Sequence, residues 1–346
     1  MSEMTQAGSE KARPSRSSAR SKTPVAPTII AVIALACMPL VWRNDYIISL
    51  LTLILLYSLM AQSWNLTIGV CGIWNLGQAA IIASGGYVTG ILTVELGMSA
   101  WLALPAGVVA GGLTAAIIVL PVIRLRGVLA ALLTFALAEV VRLLILADGA
   151  GFTGGRSGLS GVPGLFDHVS YWGSLRASFW LALALSAAVM LLVRGMMDSP
   201  FGRGVDRCRQ AIVATLVSGL VAGLAGGLYA TFYHGITPSS MGLAPMGLLL
   251  IMVVVGGLGT VRGPILGAFV VTILSELLRD TFLWRLLVLG ALLFLVLTFW
   301  PAGLDGLLQR ILDRIRAWMK AEHGKPGGGA EPGEAGPSGP TGDRKT

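Results

Sequence analysis

Between Asp45 and Arg124 the chain carries one charged residue, Glu95, and from Gln210 to Val261 it carries none. Soluble domains spread charge over every element, at about 25% of residues. Here 12% of residues are charged and 55% are hydrophobic. A helix needs roughly 20 apolar residues to cross a bilayer, so each charge-free block holds two or more crossings. The expected fold class is an all-α, polytopic transmembrane helical bundle with the lipid bilayer as its solvent.

The length criterion places about ten membrane segments, at 27–42, 46–67, 70–94, 99–122, 128–147, 176–194, 210–233, 242–260, 264–279 and 282–300. Residues 1–24 are basic and rich in Ser and Ala, and the C-terminal end is rich in Gly and Pro. Neither can bury a core, and both are expected to be disordered. The organisation is thus a basic tail at 1–24, a transmembrane domain at 25–308, and a basic end with a Gly/Pro-rich tail at 309–346. An even number of crossings puts both tails on one side. The basic clusters at Lys11–Lys22, Arg124–Arg126, Arg194–Arg209 and Arg310–Lys320 all fall on that same side. This distribution follows the positive-inside rule, so both termini are expected to be cytoplasmic. It also accounts for the net charge of +8 without any nucleic acid partner.

Two stretches make poor continuous helices. Residues 69–90 contain six glycines, and 242–267 combine Pro245 and Pro264 with Gly256, Gly257, Gly259, Gly263 and Gly267. Glycine permits close helix packing, and broken helices are tolerated where protein or a water-filled cavity satisfies the freed backbone. The run Val255–Pro264 fits a tight connection better than a packing face.

Polar residues in such a setting carry information because they are expensive there. Asn65, Asn75 and Gln78, with Gly77 among them, offer uncharged hydrogen bonding around the glycine-rich third segment. They are candidates for a substrate pathway, and equally for interhelical bonds. Glu139 and Arg142 stand three apart on one helical face. They fit a substrate or gating role, or a structural pair near the outer interface. Glu276 and Arg279 repeat the spacing. The tryptophans, Trp64 among them, lie mostly near predicted segment ends, as belt residues do. The three cysteines are far apart and suggest neither a disulfide framework nor a metal site. No catalytic constellation, cofactor motif or phosphate-cradling Gly-x-x-x-x-Gly-Lys-[Ser/Thr] loop is present. If transport is ATP-driven, the ATPase is a separate chain.

The run Trp64–Ala80 with Gly85-Gly86-Tyr87 resembles the early signature of branched-chain amino acid ABC permeases. Further stretches match in order: Arg124–Gly127 with Thr134–Arg142, Thr153–Pro163, Ala222–Ala230, Gly256–Pro264 and Pro301–Leu304. The Thr-Gly-Gly loop and the layout resemble the LivM-type subunit rather than its LivH-type partner. The resemblance implies a bacterial inner-membrane importer in which two related permeases each form half of the pathway. Two cytoplasmic ATPases would drive it, and an extracytoplasmic solute-binding protein would deliver the amino acid. It departs from the family after Asp198–Arg203. There the cytoplasmic segment that docks the ATPase is expected, but Gly204–Gln210 runs almost directly into the next span. Arg203, Arg207 and Arg209 are the candidate ATPase contacts, with cytoplasmic anchoring as their plainer role. The shortening leaves open a second function, that of a structural or regulatory relative without ATPase coupling. A secondary transporter would show inverted repeats, and a membrane enzyme an intramembrane acid, base or metal set. Neither pattern is evident.

Overall fold

The computed structural model describes residues 44–122, 125, 127–149, 151–198, 207–300, 303–311 and 314, preceded by Leu35, Ala36, Met38 and Pro39. The two expected tails, most of the segment at 27–42, Arg124, Arg126, Arg203 and the shortened loop lie outside the described residues. The chain forms α1 (Asp45–Asn65), extended by a π-helical turn at Leu66–Val70, then α2 (Gln78–Val94), α3 (Ala100–Val119) and α4 (Val128–Ala147). After these come β1 (Leu159–Ser160), α5 (Tyr171–Asp198), α6 (Arg207–Tyr233), β2 (Gly235–Ile236), α7 (Leu243–Gly256), α8 (Gly263–Leu277) and α9 (Phe282–Phe299). A last helix, α10 (Gly303–Ile311), is bent 55° from α9.

The all-α bundle expected from composition is the fold observed. Helix lengths are less uniform than the ten expected segments. Among the described residues, five helices are long and apolar enough to cross a membrane: Asp45–Gly69, α3, α4, Tyr171–Met197 of α5 and Gln210–Tyr233 of α6. A sixth crossing results if α9 and α10 count as one bent span. The helices α2, α7 and α8 have 17, 14 and 15 residues. At 1.5 Å per residue, all three are shorter than the roughly 30 Å hydrocarbon core. Glycine and proline explain the shortening. The expected segment 70–94 becomes helical only at Gln78, and 242–260 stops at Gly256. The run Gly257–Arg262 is a tight connection, with Gly257 and Gly259 at φ of 120° and 72°.

α1 is the axis of the bundle. Of its most apolar stretch 72% is buried, against 17% for α4, which lies on the periphery. α5, α6, α7 and α8 all pack on α1, while α2, α3 and α6 form a second cluster. In that cluster a Cβ on Gly223 of α6 would run into the backbone of Gly107 and Gly111 on α3, and one on Gly85 of α2 into Gly223 itself. Only glycine allows so close an approach. β1 and β2 pair antiparallel, with Leu159 opposite Ile236, and tie the loop after α4 to the segment after α6.

Candidate functional site: a polar knot and two stacked cavities

Alternating helix directions give the bundle two ends. One holds the start of α1 at Tyr46 and the end of α6 at Tyr233. The other holds the turn around Asn75 and the α7–α8 connection at Thr260.

The Thr260 end is closed by a hydrogen-bonded knot. Of the seven residues between the π-turn and α2, Ile73 donates its N–H to the Thr67 carbonyl at 3.0 Å, and side chains supply further partners. Trp64 Nε1 donates to the Asn75 carbonyl at 2.7 Å, and the Leu76 N–H donates to Thr134 Oγ1 of α4 at 3.0 Å. Asn75 Oδ1 accepts from the Gly77 N–H at 2.9 Å, while its Nδ2 donates to Gln78 Oε1 at 3.0 Å. Gln78 Nε2 in turn donates to Ser63 Oγ at 3.0 Å and Ser218 Oγ of α6 at 3.4 Å. Ser218 Oγ donates to the Ser63 carbonyl at 2.6 Å. Asn75 and Gln78 are fully buried.

Asn65 makes a second clamp. Its Nδ2 donates to the Thr260 carbonyl at 2.8 Å, and its Oδ1 accepts from the Gly259 N–H at 2.9 Å. Both edges of the amide thus hold the α7–α8 connection, against which Gly69 packs backbone to backbone. Asn65, Asn75, Gly77 and Gln78 therefore gather at one end of the bundle. Ser63, Ser218 and Thr134 belong to the same network and were not singled out from sequence. For Ser63 and Ser218, a hydroxyl inside a charge-free block was the signal that could have found them; Thr134 lies outside both blocks. Trp64 departs from the belt expectation. It is wholly buried because its indole N–H holds the turn.

Glu139 and Arg142 lie apart from the knot on α4. Arg142 Nε donates to both carboxylate oxygens at 2.9 Å, and a further bond joins its NH2 to Oε1. Each side chain is about a third exposed, at 34% for Glu139 and 28% for Arg142. Arg207 and Arg209 open α6, but their side chains lie outside the described residues.

Two cavities occupy the rest of the bundle. The residues Tyr46, Leu50, Leu53, Tyr57 and Met60 recur every three or four positions and so share one face of α1. The first three line a cavity of about 800 Å³ at the Tyr46 end, between α5, α6 and α8. Tyr57 and Met60 line a deeper one of about 410 Å³, between α2, α6, α7 and the segment after β2. The deeper cavity has apolar walls from Ile82, Ala83 and Leu249, hydroxyls from Tyr57, Tyr229, Thr237, Ser239 and Ser240, and no charged lining residue. That composition and size suit a small, largely apolar ligand held by a few polar groups. The cavities meet at two rings of α6. Tyr233 lines the larger, Tyr229 lines the smaller, and their centroids are 4.6 Å apart.

A multi-pass apolar bundle with shortened helices around an uncharged chamber belongs to the class of membrane permeases. Residues 46–297 match the family described as branched-chain amino acid transport system, permease component. The chain belongs to that family. It is 28% identical over 313 residues to the high-affinity branched-chain amino acid transport system permease protein LivM of Salmonella typhimurium, covering 80% of this chain and 73% of that one. With the LivM protein of Escherichia coli it shares 26% over 333 residues, covering 85% and 76%. No solved structure matches the chain significantly.

Proposed function

We propose that this chain is the permease subunit of an ATP-driven importer for branched-chain amino acids, and that the 410 Å³ chamber is its share of the translocation pathway. The uncharged chamber carries this reading. Met60, Ile82, Ala83 and Leu249 offer an aliphatic side chain an apolar wall. Thr237, Ser239 and Ser240 offer hydroxyls to the zwitterionic end. The protein sits in a bacterial inner membrane with the Tyr46 end facing outward, because the basic clusters belong to the opposite end. A second, homologous permease completes the pathway, two cytoplasmic ATPases power it, and a solute-binding protein delivers the amino acid from outside. The chain itself performs no covalent chemistry. Asn65, Asn75, Gly77 and Gln78 form the inner closure, which releases when the short α7–α8 pair moves. Arg203, Arg207 and Arg209 face the ATPase. Glu139 and Arg142 border the pathway where α4 meets the second permease, since an ion pair at that depth is costly against lipid.

Ala244 lines the chamber while remaining exposed, so Ala244→Phe fills the space without overpacking a core. In cells producing the chain with the other subunits of the importer, leucine uptake should fall at least tenfold at unchanged abundance. Uptake equal to wild type would remove the chamber from the pathway. The short α5–α6 connection favours one rival, a relative without ATPase coupling. Gentle affinity purification decides it: recovery of two ATPases supports the importer, and a permease partner alone supports the rival.

A further inference from the structure

We propose that the 800 Å³ cavity at the Tyr46 end is a receiving site for the zwitterionic head of an amino acid, separated from the chamber below by the Tyr229–Tyr233 ring pair. The proposal deepens the transport reading and rests on it.

The mouth carries both signs of charge, with Glu276 and Arg279 on one wall and Asp167 on another. Glu276 of α8 accepts from Tyr46 Oη at 2.7 Å and from Arg279 NH1 at 3.1 Å. Both bonds land on Oε1, and Oε2 takes no hydrogen bond. Across the mouth, the loop after α4 presents Asp167, whose Oδ2 accepts from the Gly164 N–H at 2.6 Å while its Oδ1 takes no bond. Two carboxylate oxygens are thus available to an ammonium group. Arg279 spends a single N–H on Glu276, and its side chain is 69% exposed, which leaves the rest of the guanidinium fork for a carboxylate. Below these charges the wall turns apolar through Leu50, Leu53, Leu175 and Phe232. A zwitterion with an aliphatic side chain matches that order, side chain downward and charges at the rim.

The floor supplies the gate. Tyr229 and Tyr233 are four apart on α6, so their rings stack along one face. Tyr233 is 47% exposed, and its ring contacts are with Tyr229 at 4.6 Å and Phe232 at 5.5 Å. Swinging that ring joins the two cavities without moving a helix.

The test uses the whole importer in nanodiscs for [³H]leucine binding, and in cells for uptake. Glu276→Gln with Asp167→Asn, and separately Arg279→Gln, should each weaken leucine binding at least tenfold, while Asp280→Asn leaves it unchanged. L-Leucinamide, without the carboxylate, and 4-methylvalerate, without the ammonium, should each compete at least tenfold less well than leucine. Tyr233→Ala should speed ligand exchange several-fold. Equal size-exclusion profiles and melting midpoints separate these effects from misfolding. If wild type imports leucine and the charge variants bind and import it normally, the receiving site is overturned and the transport reading stands. If wild type imports no leucine, both fall. Occupation by a phosphoethanolamine lipid that leucine does not displace would overturn the proposal in favour of a headgroup site.

Discussion

The two ends of the bundle use polar residues in opposite ways. At the Thr260 end, uncharged amides and hydroxyls are buried and bonded to one another, so Asn65, Asn75 and Gln78 leave no room between helices. At the Tyr46 end, Glu276, Arg279 and Asp167 keep free atoms facing a large cavity. A buried polar group without a partner is heavily penalised in an apolar medium. Pairing polar groups therefore seals a passage, and leaving charged ones unpaired requires water or a ligand beside them. Neutral polar groups knit the helices together at the Thr260 end, and charged groups face the cavity at the Tyr46 end.

The largest expected effect tests closure by backbone contact. A Cβ on Gly69 would collide with Asn65 Oδ1 and the Gly259 backbone, whereas one on Gly149, beyond α4 at the Tyr46 end, meets nothing within 4 Å. Gly69→Val should cost about 3 kcal/mol or more, from overpacking and the lost Asn65 clamp together. Gly149→Val should be nearly neutral. Melting midpoints of the purified variants check the pair. Equal losses would mean that the two ends are equally tight.

A smaller effect separates the hydrogen bonds themselves. Gln78→Leu strands Asn75 Nδ2 and removes the donor that joins Ser63 to Ser218, which should cost about 2 kcal/mol. Tyr46→Phe deletes one bond to a carboxylate that water can reach, and should cost clearly less. If the order reverses, the knot is not what holds the closed end.

Sequence patterns reached the closed end better than the open one. Asn65, Asn75 and Gln78 stand out because amides are rare in charge-free blocks, and the glycine bunch at Gly256–Gly263 marks its own turn. The cavities left no such mark. In a helix that is apolar all round no polar stripe reveals which face is packed, so nothing singled out the row from Tyr46 to Met60. The length of α7 was overestimated for a related reason. Hydropathy continues through Gly257–Val261 although the helix stops, because those backbone groups are met by Asn65 rather than by helical partners. Trp64 shows the same limit, since a segment-end position does not say whether an indole turns outward or in.

The smallest effect lies in the loop beside the open end. Asp148 follows α4 with φ of 42°, and its carboxyl is held below the ordinary carboxylate range by the Thr153 N–H at 2.9 Å and then by the Thr153 hydroxyl at 2.8 Å. Because folding lowers this pKa, the stabilisation is present above the unfolded-state value and is lost as pH falls through the folded-state value. Asp148→Asn keeps a side chain that tolerates the left-handed backbone but removes the titration. Hydrogen exchange at the Thr153 amide should be faster in the variant near neutral pH, and the difference should shrink as the medium is acidified past the carboxylate range. The global melting midpoint should hardly move, since the group is exposed to solvent. A loss in midpoint as large as that of Gln78→Leu would show that the open end is fastened as firmly as the closed one, and the contrast between neutral closure and charged opening would fail.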